Sequence, residues 1–167
     1  MNIKNKKKLF LIDGMALIYR SYFAMINNPL ITHEGVKTSA IHGFLDSMFK
    51  LIKDESPDYL AIVFDSKQPT FRHKLYSEYK ANREKMPDDL SIQIPMLEKI
   101  ISILKIPIIQ KVGYEADDLL GTIAFQEEGL NTYIFTSDKD LMQVVTDRVF
   151  IYSPGNRFKP TKIYDQN

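Results

Sequence analysis

Three short apolar segments, each followed within three residues by an aspartate, constrain the fold of this chain more than any other feature. The segments are 9–12, 59–64 and 132–135, and the aspartates are Asp13, Asp65 and Asp138. Continuous apolar runs of this length are typical of strands that are buried on both faces of a parallel sheet. Helical patterns separate them, so we expect an α/β fold with a largely parallel central sheet flanked by helices.

The remaining patterns predict the other helices and strands. Helices are expected at 15–26, 39–53, 89–104 and 115–127, a short helix at 141–145, and strands at 106–110 and 149–152. Pro95 predicts a kink or a later start in the third helix. Pro107 places its strand at a sheet edge or at a strand start. Residues 153–167 are rich in turn-forming residues, so 149–152 is predicted to be the last strand.

Composition limits the class of protein. A chain of 167 residues is expected to form one compact domain with a real core. The net charge is only +1, so any nucleic-acid contact must come from a local basic patch. Cysteine is absent, which excludes a disulfide framework and a thiolate zinc site. No apolar run approaches the ~20 residues of a membrane span, and we expect a cytoplasmic protein.

Three carboxylates, Glu115, Asp117 and Asp118, fall together at the start of the helix predicted over 115–127. Acidic residues in a first helical turn complement the helix dipole, so capping accounts for one or two of them. Three together repel one another unless a cation lies among them, and Mg²⁺ prefers oxygen ligands. From this stretch alone, helix capping and metal binding remain equally open.

Acidic residues from four segments are expected to converge at the carboxyl edge of the sheet, where open sheets bind their ligands. They are Asp13, Asp65, Glu115, Asp117, Asp118, Asp138 and Asp140. That much negative charge is stable only around metal ions, so we predict a divalent metal centre. Two such ions about 4 Å apart can hold a phosphodiester, activate a water and stabilise the leaving oxygen. Lys80 and Arg83 are the candidates for neutralising the phosphate.

The segment 66–89 is rich in basic and aromatic residues and poor in aliphatic ones. Tyr76, Lys80 and Arg83 are spaced four and three apart, so a helix here would carry all three on one face. Basic residues interleaved with aromatic ones suit a nucleic-acid backbone with bases stacked alongside. The alternative is an ordinary solvated helix whose glutamates offset part of the positive charge.

Six motifs occur in order along nearly the whole chain. They are Leu-Ile-Asp13-Gly, Val-Phe-Asp65, Phe71-Arg72-His73, Tyr79-Lys80-x-x-Arg83, Gly113-Tyr-Glu115-Ala-Asp117-Asp118 and Ser137-Asp138-Lys139-Asp140-Leu. Together they resemble the N-terminal 5′-nuclease domain of bacterial DNA polymerase I, a relative of the flap endonucleases and the PIN-like nucleases. The resemblance implies a PIN-like fold with a helical arch over about 66–89. It also implies a Mg²⁺- or Mn²⁺-dependent 5′-3′ exonuclease or flap endonuclease that removes 5′ flaps and RNA primers.

The resemblance further implies roles for individual residues. Two metal ions are expected, the first held by Asp13, Asp65, Glu115, Asp117 and Asp118, the second by Asp138 and Asp140. Lys80 and Arg83 would contact the scissile phosphate in the arch. Tyr79 would stack near that phosphate, and Arg72 would bind the nucleic-acid backbone.

One departure from the family pattern leaves alternatives open. The chain ends at Asn167, before the helix–hairpin–helix-like region whose aspartates complete the family's second metal site. We therefore expect either a truncated nuclease domain, joined to a polymerase region in a full-length protein, or a short relative that has lost this part. The expected substrates are DNA with a 5′ flap or nick and RNA–DNA primer junctions. One alternative is a PIN-type ribonuclease, against which the arch-like segment argues. The other is a module that binds metal and nucleic acid without cutting.

Overall fold

A computed structural model describes residues 6–76, 78–82, 84–155 and 159–166. Within these ranges the strands are β1 (Lys8–Asp13), β2 (Tyr59–Val63), β3 (Ile108–Ile109), β4 (Asn131–Phe135), β5 (Val149–Ser153) and β6 (Lys162–Tyr164). The helices are α1 (Gly14–Ala24), α2 (Ser39–Glu55), α3 (Phe71–Leu75), α4 (Asp88–Ile103) and α5 (Ala116–Gln126), and a 3-10 helix spans Asp140–Val144.

The strands form one sheet in the order β3-β2-β1-β4-β5-β6. β1 pairs in parallel with both β2 and β4, and the outer pairs β2–β3 and β4–β5 are also parallel. Only β6 runs antiparallel to its neighbour among the described strands. The chain winds from β1 to one edge and then from β4 to the other, so the strand order reverses between β1 and β4. Open α/β sheets bind ligands in the crevice at this switch point.

The side chains of β1 alternate between two cores, which explains its continuous apolar run. Phe10 and Ile12 lie in a core with residues of α1, α2 and α4. Leu9 and Leu11 lie in the core on the other face of the sheet, together with Leu120 of α5. A parallel strand covered by helices on both faces leaves no position for an exposed polar side chain. After Lys8 at its start, the next polar residue of β1 is Asp13, where the strand ends.

The predicted α/β class and the largely parallel sheet are confirmed. Helices α1, α2 and α5 match the predicted ones within two residues at each end. Helix α4 begins at Asp88 and contains Pro95, so the later start considered for it is wrong. In the described part of the chain, no helix is long and apolar enough to cross a membrane.

Two strands differ from the prediction. β3 has two residues instead of the expected five, although it lies at the sheet edge as Pro107 indicated. The prediction that no strand follows β5 is wrong, because β6 pairs Ile163 with Tyr152 of β5. All residues of β6 are exposed, so no alternation between buried and polar positions marks this strand in the sequence.

Candidate active site at the carboxyl edge of the sheet

Asp13 is the last residue of β1 and is almost fully buried, with 5% of its surface exposed. One carboxylate oxygen, Oδ1, accepts a hydrogen bond from the backbone N–H of Ala16 at 3.0 Å and thereby caps α1. The other oxygen, Oδ2, accepts from the hydroxyl of Thr136 at 2.9 Å. Because Thr136 directly follows β4, this bond joins the two strand ends on either side of the switch point.

Asp65 and Asp138 are fixed at the same edge by backbone contacts. Asp65 Oδ1 accepts from the N–H of Ala116, the first residue of α5, at 2.7 Å. This bond brings the end of β2 against the start of α5. Asp138 donates its N–H to Thr136 Oγ1 at 3.0 Å, and its Oδ1 accepts from the N–H of Asp140 at 2.9 Å.

Asp13, Asp65, Asp117 and Asp138 form a group that we call the acidic cluster. Burial raises the pKa of Asp117 to about 6, and the charges of Asp13, Asp138 and Asp65 contribute to the rise. Burial also raises the pKa of Asp13, against the effect of its two hydrogen bonds, and the charges of Asp65 and Asp138 raise it further. The charge of Lys80 offsets only part of the rise for Asp117, so the cluster holds an excess of negative charge, which is the condition that favours a bound cation.

Two further carboxylates at the start of α5, Glu115 and Asp118, are neutralised by the protein itself. They form a capping box, in which the Asp118 carboxylate accepts from the N–H of Glu115 at 3.0 Å. Arg72 donates two hydrogen bonds of 2.7 Å to Asp118, which lower the pKa of that carboxyl. Lys80 Nζ lies 2.8 Å from Glu115 Oε1, and the Tyr79 hydroxyl donates to Glu115 Oε2 at 3.1 Å.

These contacts separate the two interpretations of the acidic stretch. Helix capping and ion pairing account for Glu115 and Asp118. Asp117 instead faces the like charges of the other three members of the acidic cluster. Metal ligation by any of the three stays a prediction.

The basic segment 66–89 is not folded as its sequence pattern indicated. Helix α3 ends at Leu75, residues 78–82 form turns, and Lys80 has a left-handed backbone with φ of 59°. The prediction that one helix carries Tyr76 and Lys80 on a common face is therefore wrong. Arg83 lies outside the described residues. The segment has few aliphatic side chains to hold a helix against the core, and its contacts to the start of α5 are ion pairs and hydrogen bonds instead.

The remaining predicted ligand, Asp140, begins the 3-10 helix and its side chain is exposed. In the described residues, no three acidic, histidine or cysteine side chains stand together as a ready-made metal site. The fit of the acidic cluster to a divalent cation rests on its donors and charge. Carboxylate oxygens are the ligands that Mg²⁺ and Mn²⁺ prefer, and the negative charge of this cluster exceeds what Lys80 offsets.

Sequence reasoning missed Thr136, which is 2% exposed and bonds to both Asp13 and Asp138. Its position was the available signal. It is the first residue after β4 and stands directly at the edge where the carboxylates were expected. A buried hydroxyl at that point can orient a neighbouring carboxylate.

Comparison with known proteins finds a family match over nearly the whole chain. Residues 8–167 match the profile of a family described as 5′-3′ exonuclease, N-terminal resolvase-like domain. The chain is 43% identical over 152 residues to the 5′-3′ exonuclease of Aquifex aeolicus, covering 90% of this chain and 52% of that protein. It is 44% identical over 152 residues to DNA polymerase I of Borreliella burgdorferi, covering 90% of this chain and 17% of that protein.

The fold is also similar to that of the bacteriophage T5 flap endonuclease, solved as a pseudo-enzyme-product complex with DNA and metal ions. The TM-score is 0.65 at 19% identity, covering 95% of this chain and 58% of that chain. This chain thus spans about half the length of the exonuclease and less than a fifth of the polymerase. The family match confirms the resemblance seen in the six sequence motifs. The chain belongs to the family of 5′-3′ exonuclease N-terminal, resolvase-like domains.

Proposed function

We propose that this chain is the nuclease module of a 5′-3′ exonuclease or flap endonuclease that hydrolyses phosphodiester bonds. The observation that carries the proposal is the acidic cluster at the switch point of the sheet, where burial and the charges of neighbouring carboxylates raise the pKa of Asp117 and of Asp13. Family membership and the basic segment beside the cluster support it. The substrate is DNA with a 5′ flap or nick, or an RNA–DNA primer junction, and a polymerase region is the partner in a longer protein.

The acidic cluster would hold Mg²⁺ or Mn²⁺, two ions in all, with Glu115, Asp118 and Asp140 adding ligands. When bound, such ions lower the pKa of water and neutralise charge on the phosphate. The protein's own contribution is orientation of the carboxylates. Thr136 and the N–H of Ala16 each fix one oxygen of Asp13, and the N–H of Ala116 fixes one oxygen of Asp65.

The cations of the basic segment would bind the substrate phosphate. Arg72 and Lys80 donate to Asp118 and Glu115, and a phosphate oxygen offers the same kind of acceptor. We infer that both side chains exchange these carboxylates for phosphate when nucleic acid binds. Arg83 would contact the scissile phosphate, and Tyr76 and Tyr79 would stack beside it. The T5 flap endonuclease, which has a similar fold, was solved in complex with DNA, and this supports nucleic acid as the ligand.

Cleavage of a 5′-labelled flap duplex tests the proposal. Cutting near the flap junction should require Mg²⁺ or Mn²⁺ and stop with a chelator. Asp65→Asn should abolish it, because the amide keeps the acceptor for Ala116 and loses the charge. Asp147→Asn is the matched control, since Asp147 is an exposed carboxylate before the amino end of β5.

Other outcomes would replace the proposal. Cleavage of single-stranded RNA without cleavage of the flap would indicate a PIN-type ribonuclease. Metal-dependent binding without any cleavage, by protein shown to be folded, would indicate a module that only binds nucleic acid.

A further inference from the structure

Two exposed aromatic rings, Phe71 and Tyr114, lie together beside the start of α5. They are 39% and 41% exposed, and their ring centroids are 5.8 Å apart at an angle of 56°. Neither ring is among the buried residues of the two apolar cores. Single exposed aromatic residues are ordinary on protein surfaces, but a paired set next to charged site residues calls for a function.

The backbone under both rings is tied together. The N–H of Phe71 donates to the carbonyl of Gly113 at 2.9 Å, and the N–H of Ser66 donates to the carbonyl of Tyr114 at 3.3 Å. Gly113 has φ of 88°, a left-handed conformation that favours glycine. The backbone segments that carry the two rings are therefore joined by hydrogen bonds, and little backbone entropy is lost when a flat ligand binds.

Each ring also carries a cation. The guanidinium carbon of Arg72 lies 4.6 Å from the Phe71 centroid, and Lys111 Nζ lies 4.9 Å from the Tyr114 centroid. Arg72 reaches the site itself through Asp118. Lys111 has no salt-bridge partner among the described residues, so its charge is available to a ligand. Aromatic faces combined with cations are the means by which proteins hold single-stranded nucleic acid.

We propose that the Tyr114 ring, with the tilted Phe71 ring beside it, forms a stacking platform for one unpaired base of the substrate strand, and that Lys111 binds the adjoining phosphate. The inference rests on the proposed function, because it takes the substrate to be a nucleic acid with an unpaired end. The platform adjoins Arg72 and Glu115, so a base stacked there sets how far the strand extends across the acidic cluster. These residues position the strand and take no part in the chemistry.

Binding without metal isolates this step from cleavage. Fluorescence anisotropy with a chelator present would compare a labelled single strand, a 5′-flap duplex, and a set of single strands carrying one abasic residue at successive positions. Tyr114→Ala should weaken binding of the intact strand roughly 5- to 150-fold, the range for loss of one stacked base. Tyr114→Phe, which keeps the ring, is the matched control and should bind like the unaltered protein.

The abasic series makes the test specific for stacking. At one position the abasic strand should bind the unaltered protein and Tyr114→Ala equally, because no base remains to stack. Lys111→Gln should lower the slope of log affinity against log salt by about one, as expected for one phosphate contact. The inference is overturned if Tyr114→Ala binds the intact strand normally, or if its loss is the same for every abasic strand.

The outcome is separable from that of the nuclease proposal. If the protein cleaves the flap and Tyr114→Ala binds normally, the stacking proposal is wrong and the nuclease proposal stands. If binding depends on the Tyr114 ring but the protein cleaves no substrate, the stacking proposal stands and the nuclease proposal is wrong. Phe71→Leu is a second variant, and it should reproduce part of the loss if both rings contact the base.

Discussion

Replacing Asp117 by asparagine should stabilise the metal-free protein and at the same time weaken its response to divalent metal. The Asp117 carboxylate meets the like charges of Asp13, Asp65 and Asp138, so removing its charge relieves repulsion in the folded state. The same charge would help to hold a cation, so the variant should gain less from added metal. A variant that is more stable than the unaltered protein without metal, but is stabilised less by added metal, shows that the charge of Asp117 is kept at a cost in stability.

The size of the effect follows from the pKa of Asp117. A rise from 3.8 to about 6 corresponds to roughly 3 kcal/mol if none of the charge is screened. Burial is the largest cause of this rise, yet much of the side chain still meets solvent. Solvent screening therefore reduces the expected gain to about 1 kcal/mol. For a chain of this length, that is a rise in Tm of about 2–4 °C.

The pH dependence has a definite sign. The folded state raises the pKa of Asp117, so the penalty is fully present above about pH 6, where the folded carboxyl is ionised. It declines as the pH falls toward 3.8 and vanishes below that value. The advantage of Asp117→Asn should therefore be largest at pH 7.5 and absent near pH 3.5.

Thermal unfolding with a chelator, at both pH values, measures the first effect, and repetition with Mg²⁺ at pH 7.5 measures the second. Asp147→Asn serves as the control for loss of one negative charge. Equal or lower stability of Asp117→Asn at pH 7.5 without metal would refute the reasoning. So would equal stabilisation of both proteins by Mg²⁺.

Three further substitutions test contacts that hold the site. Gly14→Ala should destabilise the protein by about 1–3 kcal/mol, because the added Cβ would lie 2.5 Å from the Phe64 ring. A midpoint of thermal unfolding equal to that of the unaltered protein would refute this close approach. Thr136→Val should cost about 1.5–3 kcal/mol in urea unfolding by removing the hydrogen bond to buried Asp13, and Thr136→Ser should restore most of it. Arg72→Gln should lower Tm without metal and increase the stabilisation by Mg²⁺, and an unchanged Mg²⁺ response would contradict the ion pair's competition with metal.

The sheet could be predicted from the sequence because its central strands are covered on both faces. Leu9 to Ile12 alternate between two cores, and the continuous apolar run that results is a local signal. β6 lacks this signal, since its residues are all exposed and its extended conformation is stabilised by pairing with β5. Position at a strand end was likewise enough to predict that Asp13 and Asp65 lie at the carboxyl edge of the sheet.

The contacts of the basic segment could not be predicted in the same way. The spacing of Tyr76 and Lys80 fits a helix, but helix spacing without an apolar stripe does not hold a helix against the protein. This segment is held by long-range pairing of Arg72 with Asp118 and of Lys80 with Glu115, together with backbone hydrogen bonds to residues 113 and 114. Charges of opposite sign that are distant in sequence give no periodic pattern, so only the folded chain reveals which cation meets which carboxylate.

Calorimetric titration with Mn²⁺ tests most directly whether the acidic cluster is a metal centre. We expect saturable binding to the unaltered protein, at least about tenfold weaker binding to Asp65→Asn and Asp117→Asn, and unchanged binding to Asp147→Asn. Equal binding by all four proteins, or no binding by folded protein, would contradict the metal centre and with it the proposed nuclease.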